Sequence, residues 1–275
     1  FSALAGKILA TGLLFSFMVF PLIYLLMYPI GGWKTFKTHP KHLAVLIFAA
    51  TALSHFVLAS YGWLFRYEAY LVSLLFVCIV ITWEDFQQFF RWRWSTGNLA
   101  LLALIAIVFF PVLSRVQMIS HTKRAAKNIA EQQVQMAKFV NQHFPSFGIA
   151  MNDIGALSFY NDDMRIFDLE GLGTLEVIRQ KKQFDSNFLS RYVAEHDIKI
   201  GIFYPHLYQG KIPASWQQVG TWELADNFVT AGSVVGFYAI APQTKQKLYE
   251  DLKRYEPSLP ASVKQTLDSV QFLTR

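Results

Sequence analysis

The apolar residues of this chain are gathered at one end. That asymmetry limits its possible folds more than any other feature. Ile8 to Pro29 is an apolar-dominated run of 22 residues, and Leu43 to Tyr61 is a second of 19. A helix rises ~1.5 Å per residue, so either run can cross a hydrocarbon core of ~30 Å. Ala69 to Trp83 and Leu99 to Leu113 are 15 residues each, a length ambiguous between a membrane span and a buried helix. Beyond residue 113 the apolar density falls. The sequence therefore predicts an all-α membrane half of about four transmembrane helices over residues 1–114. An α/β extracytoplasmic domain with a small mixed sheet follows over residues 115–275. A hydrophobic content of 53% against 16% charged residues argues against a purely soluble chain.

Charge sets the expected orientation. Lys34, Lys37 and Lys41 fall in one connecting segment, and Arg91 and Arg93 in another. An excess of Lys and Arg marks cytoplasmic loops, so the short segment holding Arg66 and Glu68 is expected on the other side, with everything after Arg115. The net charge of +6 does not point to nucleic acid, because the basic residues flank apolar runs or are interspersed with acids. Trp83, Phe86, Phe89, Phe90, Trp92 and Trp94 around Arg91 and Arg93 could stack nucleic-acid bases, but beside two apolar runs they read as an interfacial aromatic belt. His55 is the only strongly polar residue of its run. It reads either as a hydrogen bond to a neighbouring helix or as a proton or ligand contact. The single cysteine, Cys78, permits no disulfide and no cysteine metal site within the chain. The chain opens on Phe1 without an initiator Met or a signal-peptide pattern, as expected of a fragment of a longer polytopic protein.

The second half alternates helical and strand patterns. His121–His143 reads as a polar helix with Ile129, Val134, Met136, Phe139 and Val140 as its apolar side, ended by Pro145. Phe147–Met151, Met164–Leu169 and Ile198–Tyr204 read as strands. Ala156–Tyr160, Thr174–Lys181, Ser186–His196, Pro242–Tyr255 and Ser262–Phe272 read as helices. Gln217–Leu224 and Ser233–Ile240 read as an antiparallel pair. Ligands in such folds gather beyond the carboxyl ends of strands, where Asn152, Asp153, Asp168 and Glu170 fall.

Two motifs carry a resemblance. Ile149-Ala150-Met151-Asn152-Asp153-Ile154-Gly155-Ala156, followed by Phe167-Asp168-Leu169-Glu170-Gly171-Leu172-Gly173, resembles the region after the last membrane helices of bacterial GT-C-type glycosyltransferases. Arg66-Tyr67-Glu68, beside an apolar run, is similar to part of the same architecture. The resemblance covers roughly residues 60–180. It implies the C-terminal part of a multi-pass enzyme of the bacterial inner membrane, with its C-terminal domain periplasmic or extracellular. Such an enzyme takes a sugar from a polyprenyl-phosphate donor to a glycan or other envelope acceptor. The family's catalytic acidic residue lies in a first extracytoplasmic loop that nothing in this chain matches, so the resemblance implies that this residue lies outside the chain.

The implied substrate site is Arg66, Tyr67, Glu68, Asn152, Asp153 and Asp168. Arg66 at headgroup level suits a lipid phosphate through a charge-assisted hydrogen bond. Glu68 either holds Arg66 or accepts a sugar hydroxyl, and Asp153 and Asp168 accept sugar hydroxyls. Structural readings stand beside these: Arg66 and Glu68 pairing at the interface, Asp153 capping the next helix, and Asp168 closing a turn at Gly171. The sequence specifies no cofactor; a divalent metal ion bridging phosphate and carboxylates is compatible with it. The expected partners are membrane lipid, donor and acceptor, without nucleic acid. The alternative is a non-catalytic, membrane-anchored module that binds a glycan or partner protein outside the cytoplasm.

Overall fold

The computed structural model describes residues 17–25, 39–59, 67–92, 116, 119–180 and 184–268. The chain divides into two compact units, Phe1–Thr122 and Lys123–Arg275.

In the first unit, residues 17–25 are helical, and two longer helices follow, α1 (Pro40–Leu58) and α2 (Ala69–Trp92). Pro40 suits the first turn of α1, where its missing N–H costs no hydrogen bond. Val45, Phe48 and Ala52 of α1 pack against Leu71, Leu75 and Cys78 of α2, together with Phe17, Phe20 and Tyr24. The opposite faces are also apolar: Ile47, Leu53, Phe76 and Val80 are exposed. A helix apolar all round suits a membrane interior. At one end of the pair His55 Nδ1 meets the Tyr70 hydroxyl at 2.7 Å, an interhelical hydrogen bond. At the other, Asp85 accepts from the Tyr24 hydroxyl at 3.0 Å and lies 3.4 Å from the Lys41 ammonium.

The expectation of about four transmembrane helices is overturned. Among the described residues, two helices, Pro40–Leu58 and Ala69–Gln87, are long and apolar enough to cross a membrane. The 15-residue run Ala69–Trp83, ambiguous by its length, lies within the longer α2, one of these two helices. That helix continues past Trp83 through Glu84 and Asp85, because Lys41 and Tyr24 satisfy the Asp85 carboxylate. Leu99–Leu113 lies outside the described residues.

The second unit is an α/β domain with a six-stranded mixed sheet. Its helices and strands in order are α3 (Thr122–Glu131), α4 (Gln133–His143), β1 (Gly148–Met151), α5 (Gly155–Tyr160), β2 (Ile166–Asp168), α6 (Leu175–Arg179), α7 (Ser186–Glu195), β3 (Ile198–Phe203), β4 (Gln217–Leu224), β5 (Val234–Ala239), α8 (Lys245–Tyr255) and β6 (Val263–Leu267). The sheet order is β2-β1-β3-β5-β4-β6. Strands β2, β1 and β3 are parallel, and β5, β4 and β6 add on in antiparallel fashion.

Side-chain alternation gives the sheet two buried faces. Ile149, Met151, Val235 and Phe237 point to one, under Phe139 and Val140 of α4 and Leu248 and Leu252 of α8. Ala150, Tyr238 and Ile240 point to the other, under Val177 of α6 and Phe188 and Leu189 of α7. Burying an aliphatic or aromatic side chain of this size contributes ~1.5–3 kcal/mol, so the two layers fix the sheet.

Two local expectations fail here. The single helix expected over His121–His143 is broken at Gln132, where ψ is −74°, and its first half buries Asn128 while Ile129 is exposed. Asn128 instead bonds the Asp226 carbonyl at 2.6 Å and the Phe228 N–H at 2.8 Å. The helix expected over Ser262–Phe272 is strand β6, paired along β4 from Gly220↔Leu267 to Leu224↔Val263.

Candidate functional site

The order β2-β1-β3 means that the chain leaves β1 toward one neighbour and later returns to the other. The carboxyl ends of β1 and β3 flank this reversal, the position where open α/β sheets bind ligands. Asn152 and Asp153 leave β1 at that point, and Tyr204 leaves β3. The Tyr204 N–H donates to Asn152 Oδ1 at 3.3 Å, which ties the two strand ends together.

Asp153 is partly exposed and does not cap α5, whose N-cap Ile154 has no side-chain cap bond. Its Oδ2 instead accepts from Gln133 Nε2 at 2.9 Å. The same amide donates to the Tyr204 hydroxyl at 2.9 Å, and that hydroxyl donates to Gln132 Oε1 at 2.8 Å. Gln132 Nε2 donates in turn to the carbonyls of Gly232 at 3.1 Å and Ser233 at 3.3 Å. The break between α3 and α4 lets two adjacent glutamines turn inward together, whereas successive residues of an unbroken helix point ~100° apart. A side chain on Gly232 would lie 2.5 Å from the His206 ring and 3.0 Å from the Tyr204 ring, so glycine is needed there.

Gln133 is 3% exposed, and its Oε1 is a buried acceptor without a hydrogen-bond partner. Rotating the amide would turn that oxygen toward the Asp153 carboxylate, so the carboxylate fixes its orientation. Burial, then the Asp153 charge, pushes the Tyr204 hydroxyl far above its usual range, so it stays a neutral donor.

Asp168 does different work. It is buried; its Oδ1 accepts from the Glu170 N–H at 2.9 Å and its Oδ2 from the Gly173 N–H at 2.6 Å. Its own N–H donates to Thr174 Oγ1 at 2.9 Å. The carboxylate thus folds the loop after β2, where Gly171 adopts φ +87°. Glu170 points out of that loop and accepts from the Tyr208 hydroxyl at 2.6 Å. Burial and Glu170 push the Tyr208 hydroxyl far above its usual range.

Of the six residues expected to bind substrate, Asn152, Asp153 and Asp168 lie on the carboxyl edge of the parallel strands. Glu68 is buried at the start of α2, where its carbonyl accepts from Leu71 and Val72, and Tyr67 is exposed. Arg66 lies outside the described residues. Sequence reasoning missed Gln132, Gln133 and Tyr204. Their signal was a pair of long polar residues between Asn128 and the apolar face of α4.

Among the described residues no group of three or more His, Cys, Asp or Glu side chains could hold a metal ion. A cleft of about 300 Å³ opens at the opposite edge of the sheet, lined by Lys199, Trp216 and Gln243 among others, and contains none of the expected site residues.

Residues 127–244, most of the α/β unit, match the sequence model of a family described as a domain of unknown function (DUF8728). No curated protein and no solved structure matches the chain.

Proposed function

We propose that the chain is the C-terminal part of a GT-C-type membrane glycosyltransferase. It would transfer a sugar from a polyprenyl-phosphate donor to an envelope acceptor, with the α/β unit outside the cytoplasm. The observation that carries this reading is the convergence of Asn152, Asp153 and Tyr204 at the β1–β3 reversal. The partly exposed Asn152 amide and Asp153 carboxylate suit a sugar, whose hydroxyls both donate and accept, and the buried network behind them holds both in place. The two membrane-length helices supply an apolar setting for a polyprenyl tail.

In the transfer, the bond from sugar C1 to the donor phosphate oxygen breaks, and its electron pair leaves with the phosphate. The acceptor oxygen bonds to C1, and its proton passes to a carboxylate base. Arg66 neutralises the phosphate, with Tyr67 and Glu68 supporting it. Asn152 and Asp153 hold sugar hydroxyls. Asp168 contributes by folding the loop after β2 rather than by direct contact, since both its oxygens already accept backbone N–H groups.

The test is transfer from a polyprenyl-phosphate sugar by the full-length protein. Losing one charge-assisted hydrogen bond costs ~1.5–3 kcal/mol, so Arg66→Ala and Asp153→Asn should each lower transfer roughly 10- to 150-fold. Unchanged transfer by Arg66→Ala overturns the donor-phosphate role.

A second reading is a membrane-anchored, non-catalytic glycan-binding module. The engagement of Asp168 favours it, because of the two aspartates on this edge only Asp153 is reachable from solvent. Glycan binding without transfer by the full-length protein would select this reading.

A further inference from the structure

The cleft of about 300 Å³ at the opposite edge of the sheet plays no part in the site above, and its volume falls at the small end of the range for small-molecule sites. Its apolar walls are four buried residues: Val193 of α7, Ile198 of β3, Trp216 before β4 and Ile240 after β5. Its charged lining is Asp197 and Lys199. The Asp197 carboxylate lies 3.2 Å from the Lys199 ammonium and 3.3 Å from the Arg165 guanidinium. Two cations share one carboxylate, so the group carries one positive charge in excess. Asp197 takes a φ of +54°, the one non-glycine residue with positive φ among those described. A Cβ on Gly148 would lie 2.7 Å from the Asp197 carbonyl oxygen, so the start of β1 packs directly against this residue and fixes the rim. Lys199 Nζ also lies 5.3 Å from the centre of the Phe147 ring. An ammonium has three N–H donors, however, and 33% of the Lys199 side-chain surface is exposed, so it can take a further acceptor.

Apolar walls beside one uncompensated cation match a small monoanion with an apolar body. A phosphate dianion is matched less well, because apolar walls strip its hydration and only one excess charge faces it. A neutral sugar leaves that charge unanswered. Ser215 and Gln243, also in the lining, add neutral hydrogen-bond donors for a second anionic oxygen. We infer that this cleft binds a carboxylate carrying a compact apolar group, with its anion at Lys199 and its apolar body against Trp216. A free organic acid and the C-terminus of a peptide ending in an apolar residue share that chemistry. The inference does not depend on the glycosyltransferase reading, which uses the other edge of the sheet.

The test uses the full chain in lipid nanodiscs, with 5-fluorotryptophan at its seven tryptophans. The fluorine resonance absent from Trp216→Phe is that of Trp216. The probes are 3-phenylpropanoate and N-acetyl-Ala-Phe with a free carboxylate, each compared with its uncharged amide. The acids should shift the Trp216 resonance saturably, and the amides should leave it in place. Tighter binding by 3-phenylpropanoate assigns the cleft to a free acid, and tighter binding by the peptide assigns it to a chain terminus. Lys199→Gln should weaken the acids roughly three- to tenfold, as expected for a partly exposed charge-assisted contact. Ala194→Phe, at an exposed position of α7 in the lining, fills the cleft and should abolish the shift. An equal response to acids and amides, a shift that persists in Ala194→Phe, or no response to either acid overturns the proposal. Unchanged affinity in Lys199→Gln overturns the placement of the anion.

Discussion

Tyr204→Phe removes one oxygen from the centre of the buried network and nothing else. The hydroxyl donates to Gln132 Oε1 and accepts from Gln133 Nε2. Gln133 Nε2 keeps Asp153 at 2.9 Å, so its loss is small. Gln132 Oε1 keeps a contact of 3.4 Å to Gln133 Nε2, too long to replace a bond of 2.8 Å. A buried acceptor left without its donor costs ~1–3 kcal/mol, and Gln132 is buried out of reach of rehydration, so the substitution should destabilise the α/β unit by about 2–3 kcal/mol. In a unit of this size each kcal/mol lowers Tm by ~2–4 °C, which predicts a fall of about 4–12 °C. Tyr208→Phe provides the comparison. Its partner Glu170 is exposed and rehydrates when the phenol is lost, so the cost should stay under ~1.5 kcal/mol. Thermal unfolding of the full chain in detergent, read by protection of α/β-unit peptides from proteolysis, measures both. A Tyr204→Phe effect no larger than that of Tyr208→Phe would refute the reading of the Tyr204 hydroxyl as the buried donor that Gln132 depends on.

Other perturbations reach different parts of the unit. Gly171→Ala puts a Cβ where φ is +87° and the Ile178 side chain lies 2.8 Å away; it should cost ~1–3 kcal/mol and speed amide exchange across 170–174. Burial lowers the proton affinity of His143 despite its contact with Asp251 at 3.2 Å. The folded state therefore takes up a proton later than the unfolded chain. Stability present above pH ~6.5 should be lost as pH falls below it, and His143→Gln should flatten this slope in pH-dependent unfolding. The Tyr238 hydroxyl is pushed up to about 12 by burial and Asp268. Its folded pKa exceeds the unfolded value, so its contribution is complete below pH ~10 and fades as pH rises toward 12. Alkaline titration of phenolate absorbance should show a late-ionising component that Tyr238→Phe removes.

The parts of the fold legible in the sequence are those where one period dominates. Ile149-Ala150-Met151 and Ile200 to Phe203 are continuous apolar runs because parallel strands are covered on both faces. Strand β6 is ambiguous in the sequence: Val263 and Leu267 are four apart, a spacing that satisfies both a helical face and alternate strand positions. Only the pairing with β4 decides between them, and that contact is remote in sequence. The break at Gln132 has no Gly or Pro to announce it. Asp153 and Asn152 were legible because they follow a strand, whereas Gln132 and Gln133 resemble solvent-facing helix residues until the break turns both inward. Asp168 was legible as an important carboxylate; its backbone partners assign it to the loop.

On the proposed function, the β1–β3 edge of the α/β unit contacts the sugar of a polyprenyl-phosphate donor. A donor analogue bearing a photoreactive diazirine on its sugar, irradiated with the full-length protein and mapped by mass spectrometry, addresses it directly. Adducts on the Asn152–Gly155 or Tyr204–Tyr208 peptides, lost when unlabelled donor competes, are the predicted result. Adducts confined to the opposite-edge cleft around Trp216 and Gln243, or absent from the α/β unit, would contradict it.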